Sequence, residues 1–171
     1  AIDGSSVEEI SNKEGYRDIS NIQWSPDSKN ISYWESRDIF LINTETYERK
    51  NLTTIGAILD KDTIEWSPDG QSIIYSLYGH IYEVDITSGE STMLIEAGYG
   101  LEGISWNQKG DRIVYSFMDN LYIYDFVTSK STFLTNGINP TWSPDDELIL
   151  FLNTDDVFVI NADGTGLNNI T

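Results

Sequence analysis

The sequence predicts an all-β fold built from one repeated unit of four antiparallel strands. Three observations carry this. The tetrapeptide Trp-Ser-Pro-Asp stands at Trp24–Asp27, Trp66–Asp69 and Trp142–Asp145, and a degraded copy, Trp-Asn-Gln-Lys-Gly, at Trp106–Gly110. The four tryptophans are 42, 40 and 36 residues apart, and a period near 40 marks an array of identical supersecondary units. The stretches between them are short, β-branched and aromatic, with turn residues between and no sustained 3.6-residue period. Four strands per unit, repeated at this period, is the pattern of a β-propeller blade, and the chain holds four of them.

Each element of the unit has a reason. The first strand ends in the tryptophan, whose large apolar area suits packing between blades. Proline fixes φ for a tight turn, Ser and Asp on either side hydrogen-bond the local backbone, and a following Gly accepts positive φ. The motif is therefore the hairpin between first and second strands, and its aspartates are poor candidates for catalysis. Second and third strands follow as Ile31–Tyr33 with Ile39–Ile42, Ile73–Tyr75 with Ile81–Val84, Ile113–Tyr115 with Leu121–Tyr124, and Leu148–Phe151 with Val157–Ile160. A polar turn such as Thr87-Ser88-Gly89 leads to a short fourth strand such as Thr92–Ile95. The third copy lacks the proline and aspartate but keeps Gly110, so its turn is expected to survive.

The repeats divide a single domain, 1–171, into blade one at 20–53, blade two at 62–95, blade three at 101–134 and blade four at 138–171. The N-terminus adds a further segment. Asp3-Gly4 aligns with Asp163-Gly164, and Val7, Ile10 and Ser11 with Leu167, Ile170 and Thr171, at an offset of 160 residues. Residues 1–12 thus read as an extra outer strand of a blade whose other strands are missing. Two accounts stay open: a segment of a longer propeller, or four blades that close on themselves or pair between chains. Open blade edges pair with other chains, so a homo-oligomer is expected.

Trp-Ser-Pro-Asp-Gly, an apolar strand, Asp-Ile-Phe or His-Ile-Tyr, then Asp-Gly and a closing Leu-Thr resembles the TolB-type propeller repeat, a relative of the WD repeat. The same repeat occurs in the propellers of tricorn protease and prolyl-oligopeptidase-like enzymes. The resemblance covers essentially the whole chain and implies a propeller. It is nearly silent on function, since unrelated proteins share the architecture. It implies a non-catalytic binding module, most simply for protein partners, in an extracytoplasmic location. A regulatory or gating part of a larger hydrolase and a glycan-binding propeller are the other readings.

Binding in such propellers uses the face that carries the between-blade loops, here 12–19, 55–62, 96–101 and 135–139, and the second-to-third-strand loops, 35–37, 77–79, 117–119 and 153–155. Loops carry function more often than strands, and aromatic and Arg side chains suit a protein or peptide partner. The candidate site is Tyr16, Arg17, Trp34, Arg37, Tyr78, His80, Tyr99 and Asp119, with Met118 beside them. His80, the only histidine, occupies the polar slot held by Asp38, Asn120 and Asp156 in the other blades, where a structural contact is the simpler reading. A lone His lacks the partners of a metal or nucleophilic site.

No metal and no cofactor are expected. Asp60-Lys61-Asp62 and Asp155-Asp156 lack the ligand order of a calcium loop. No Gly-x-Ser-x-Gly elbow occurs, so no catalytic residue is assigned, and Gly98–Gly103 precedes a strand rather than the helix a phosphate loop needs. There is no cysteine, and the net charge of −18 comes from 28 acidic against 10 basic residues, a field that repels nucleic acid. No apolar run reaches the length of a membrane helix. The start, Ala1-Ile2-Asp3-Gly4, shows neither the basic region nor the apolar core of a targeting segment.

Overall fold

The structure is a computed structural model that describes residues 19–55 and 63–171. The extra strand expected at 1–12 lies outside the described residues. The described residues form sixteen strands in four sheets and no helix. Blade one is β1 (Ile19–Trp24), β2 (Asn30–Glu35), β3 (Asp38–Asn43) and β4 (Arg49–Asn51). Blade two is β5 (Ile64–Trp66), β6 (Ser72–Leu77), β7 (His80–Asp85) and β8 (Ser91–Ile95). Blade three is β9 (Leu101–Trp106), β10 (Arg112–Phe117), β11 (Asn120–Asp125) and β12 (Lys130–Asn136). Blade four is β13 (Ile138–Trp142), β14 (Leu148–Asn153), β15 (Asp156–Asn161) and β16 (Asn168–Asn169). Each sheet is antiparallel with strands in sequence order, and the first strands of successive blades are neighbours. This is the fold class the sequence predicts.

The Trp-Ser-Pro-Asp turn is held as its chemistry requires. In blade two, Ser67 Oγ donates to Asp69 Oδ1 at 2.7 Å and accepts the Ser72 N–H at 3.0 Å, while Asp69 Oδ1 also accepts the Gln71 N–H at 3.0 Å. Blades one and four repeat this at Ser25–Asp27 and Ser143–Asp145. In blade three Asn107 replaces the serine: its Oδ1 accepts the N–H groups of Asp111 and Arg112 at 3.2 and 2.9 Å. The turn survives, and Gly110 keeps its left-handed φ of 71°.

The hydrophobic cores lie between the blades. One cluster joins Trp34, Ile39 and Leu41 of blade one to Trp66, Ile73 and Tyr75 of blade two. A second joins Ile74 and Ile81 to Trp106, Ile113 and Tyr115, and a third joins Val114 and Leu121 to Trp142, Ile149 and Phe151. Alternation explains this, since Ile73 and Tyr75 face back toward blade one and Ile74 faces forward. The inner-strand tryptophans pack onto the preceding blade, and Trp66 Nε1 donates to Ser32 Oγ at 2.9 Å. The position of Ser32 is held by apolar Ile74 in blade two and Val114 in blade three, and the indole nitrogens of Trp106 and Trp142, which pack there, are buried without a hydrogen-bond partner.

Within every blade a stacked aromatic pair joins second and third strands: Tyr33–Phe40, Tyr75–Tyr82, Tyr115–Tyr122 and Phe151–Phe158, with centroids 5.4 to 5.9 Å apart. All four are directly opposed residues in the ladder, where such pairs stabilise a sheet. The terminal blades each keep an uncovered side. Trp24 is 61% exposed, whereas Trp66, Trp106 and Trp142 are 7–9% exposed. Leu148, Leu150 and Leu152 are 37–39% exposed. Among the described residues the array is therefore open at both ends, and the four blades do not close on themselves.

Candidate partner-binding face

The second-to-third-strand connections are two-residue hairpins, and three of them are left-handed at both positions. Ser36-Arg37 has φ of 49° and 85°, Tyr78-Gly79 of 55° and 76°, and Met118-Asp119 of 48° and 57°. Such turns match the twist of the flanking strands and favour Asn-Gly. Tyr78 and Met118 are instead bulky side chains in a region that costs a non-glycine residue about 1–2 kcal/mol. Both are also solvent-facing, Tyr78 at 38% and Met118 at 62%.

The loop entering blade three ties these two turns together. Gly98 N–H donates to Gly79 O at 3.2 Å, and Gly100 O accepts the Met118 N–H at 2.9 Å. The approach is close: a Cβ on Gly79 would lie 1.8 Å from Gly98 O. Tyr99, between the two glycines, is 73% exposed. Asp119 O accepts the Gly137 N–H at 2.8 Å, which fixes the turn against the next between-blade connection. Tyr78, Tyr99, Met118 and Asp119 are thus brought onto one face by backbone contacts between blades two and three. Arg37 is exposed in the equivalent turn of blade one.

The polar slot beside these turns is structural in three blades. Asp38 Oδ1 accepts the Ile55 N–H at 2.6 Å. Asn120 Oδ1 accepts from Asn136 Nδ2 at 2.7 Å, and its Nδ2 donates to Met118 O at 2.6 Å. Asp156 accepts from Asn169 Nδ2 at 2.8 Å and from the Thr171 hydroxyl at 3.3 Å. Each ties the third strand to the outer strand or steadies the turn. His80 is half-buried, and its Nδ1 is buried with no hydrogen-bond partner among the described residues.

Trp34 does not belong to the exposed face. It pairs with Ile39 inside the ladder, is 7% exposed, and packs edge-on against Tyr75 of blade two at 6.0 Å. The reason is its phase: Trp34 shares the face of Ser32, which looks toward the next blade. Tyr16 and Arg17 lie outside the described residues, as does Asp60-Lys61-Asp62. Among the described residues no three His, Cys, Asp or Glu side chains come together as a metal site.

At the opposite end of the blades the carboxylates serve turns. Hydroxyls of Ser25, Ser67 and Ser143, with backbone N–H groups, hold Asp27, Asp69 and Asp145 below the usual carboxylate range. Backbone and hydroxyl donors of Ser88 and Thr128 do the same for Asp85 and Asp125. One contact there is not visible from the motif. Asp146, left-handed at φ 63°, accepts the N–H of Gln108 at 2.6 Å and of Lys109 at 3.1 Å across the blade three–four interface. The signal for it is a paired departure, Gln108 where the other turns have proline and Asp146 where two of them have glycine.

No family model matches the sequence, and no characterised protein matches it by sequence. Solved structures do. The chain is similar to TolB from Acinetobacter baumannii at 20% identity and a TM-score of 0.75, covering 91% of this chain and 44% of that one. It is similar to a TolB from Agrobacterium tumefaciens at 20% identity and 0.76, covering 91% and 62%. It is also similar to oligogalacturonate lyase from Vibrio parahaemolyticus at 15% identity and 0.77, covering 95% and 55%. The chain spans about half the length of these structures, from 44% to 62%. The repeat, the four sheets and these likenesses together define the fold as that of a TolB-like β-propeller.

Proposed function

We propose that this chain is a non-catalytic binding module that presents the Tyr78–Tyr99–Met118–Asp119 face to a protein or peptide partner. The observation that carries the reading is the pair Tyr78 and Met118. Each is an apolar, exposed side chain held in a left-handed turn, and neither feature stabilises the isolated fold. Strain of this kind marks functional positions, and exposed aromatic and Met side chains suit partner contacts. Asp119 adds a carboxylate for a basic group on the partner, in keeping with the net charge of −18. The TolB likeness supports an extracytoplasmic location for such a module.

The test begins with affinity capture from an extract of the source organism, followed by titration with the purified partner. Tyr99→Ser combined with Met118→Ser should weaken that affinity at least about tenfold, with the circular dichroism spectrum unchanged. Unaltered affinity removes the assignment of this face.

A second reading is a regulatory segment of a larger enzyme. Its support is the partial span of the structures it matches, one of which is a lyase. An acidic uronate oligomer as ligand for this chain is disfavoured by the −18 field. The native reading frame separates the two: a catalytic domain on the same polypeptide supports the second, and a frame that encodes propeller repeats alone supports the first.

A further inference from the structure

We infer that the cleft between blades two and three, at the end that carries the Trp-Ser-Pro-Asp turns, binds an alkylammonium group. A free polyamine or a lysine side chain of a peptide would present it. The cleft lies away from the Tyr78–Tyr99–Met118–Asp119 face and does not depend on it.

The protein supplies its own ligand in the equivalent place one junction earlier. On the side of each blade that looks toward the next, one lateral row of the ladder crosses all four strands. In blade one the row is Gln23, Ser32, Leu41 and Lys50. In blade two it is Glu65, Ile74, Glu83 and Thr92. Lys50 crosses to blade two, where its Nζ donates to the carbonyls of Ile86 at 2.6 Å and Thr87 at 2.9 Å. Blade three offers the same place. The N–H groups of Ile86 and Phe126 donate to Gln71 O and Asp111 O, which makes Phe126 and Val127 the counterparts of Ile86 and Thr87. Thr92 holds the position of Lys50 and is too short to cross, so blade two sends no ammonium to the Phe126 and Val127 carbonyls.

In its stead is a cleft of about 360 Å³ that carries negative charge. Glu83 stands where the other blades have Leu41, Ile123 and Val159. A half-buried carboxylate at an otherwise apolar position costs desolvation unless it is compensated. Ser72 Oγ donates to Glu83 Oε1 at 2.7 Å, and Oε2 has no protein donor among the described residues. Asp69 lines the cleft with Glu83, and Asp85 and Glu90 line its outward continuation. The opposite wall is Phe126 stacked on Trp106, with centroids 4.7 Å apart, and an aromatic wall attracts a cation. Trp106 is 9% exposed and packs on this row as Trp66 packs on Ser32, yet its Nε1 has no partner. Lys109, the one basic side chain on the lining, is exposed and forms no ion pair among the described residues. Among those residues no three carboxylates converge as metal ligands, so the cleft suits an organic cation.

The full chain is titrated with spermidine and the indole N–H signals are followed by NMR, with Trp106→Phe assigning its own. The Trp106 signal should move saturably while that of Trp142 stays in place. Thr92→Lys, which installs the blade-one ammonium, should weaken binding at least about tenfold. Glu83→Leu, which restores the blade-one residue, should do the same, and both variants should keep the parent circular dichroism spectrum. Asp155→Asn removes one charge at the far end of blade four and should change affinity less than about twofold, which separates the site from the general −18 field. An acetylated and amidated Gly-Lys-Gly peptide distinguishes the sources. Binding as tight as that of spermidine points to a lysine of a partner, and binding of spermidine alone to a free polyamine. No saturable shift at Trp106 with either ligand overturns the inference. So does full affinity in Thr92→Lys, or a loss in Asp155→Asn equal to that in Glu83→Leu.

Discussion

The carboxylate of Asp146, in the first turn of blade four, accepts the backbone N–H of Gln108 in the matching turn of blade three at 2.6 Å. The other turns have Pro26, Pro68 and Pro144 at the position of Gln108, and proline has no N–H to give. The loss of proline in one turn and of glycine in the next therefore compensate each other. Asp146→Ala should cost about 1–2 kcal/mol in urea unfolding, and clearly less when Gln108→Pro is already present. A coupling of at least about 0.5 kcal/mol in the double-mutant cycle is expected; additive effects would show that the contact contributes nothing.

Tyr78→Asn and Met118→Asn should each stabilise the free chain by about 0.5–1 kcal/mol. Asparagine tolerates the left-handed φ of 55° and 48° found there, and little packing is lost from exposed side chains. The same changes should weaken the partner complex. Thermal unfolding checks the first half without knowledge of the partner. Destabilisation by both variants would mean that these side chains are held for packing and not for binding.

Glu65 sits in β5 opposite Ile74, and burial pushes its pKa up to about 7 from an ordinary 4.5. A raised carboxyl favours the folded state while protonated, so its contribution is full below pH 4.5 and is lost as pH rises through about 7. The turn aspartates act in the opposite sense. Their lowered values add stability above 3.8 that disappears as pH falls below it. Stability should therefore peak in weak acid. Glu65→Gln should gain about 2–3 kcal/mol over the parent at pH 8, shrinking to under about 1 kcal/mol at pH 5. Parallel pH profiles for the two proteins would contradict the burial of that carboxyl.

Ser32→Ala leaves the Trp66 indole N–H buried without its acceptor, 2.9 Å away in the parent. A loss of about 1–2 kcal/mol is expected in chemical denaturation. No change would place Trp66 with Trp106 and Trp142, whose nitrogens are already unpaired.

The turns and strands were legible because their signals are local. Ser67, Pro68 and Asp69 fix a turn by atoms within five residues of each other, and Ile73–Tyr75 is apolar on both faces because blades cover both. Trp34 was misread for want of phase: the alternation Ile31, Ser32, Tyr33, Trp34 puts it on the Ser32 face, while a loop boundary drawn at residue 35 suggested a side chain in solvent. The Tyr78–Tyr99–Met118 face was legible in its members but not in its geometry. The left-handed turns follow from two-residue spacing between strands, yet the closure of Gly98 on Gly79 joins residues whose sequence says only that the backbone is free to bend. The Asp146–Gln108 contact spans 38 positions and shows only as two exceptions in neighbouring repeats.

Placing the cores between sheets makes the chain a one-dimensional lattice in which each blade's melting is coupled only to its nearest neighbours. Heat or denaturant should unzip such a lattice from its termini, with β6 and β10, covered on both faces, opening last. Hydrogen exchange would then grade along the sequence, fastest in blades one and four and slowest at Ile74 and Val114.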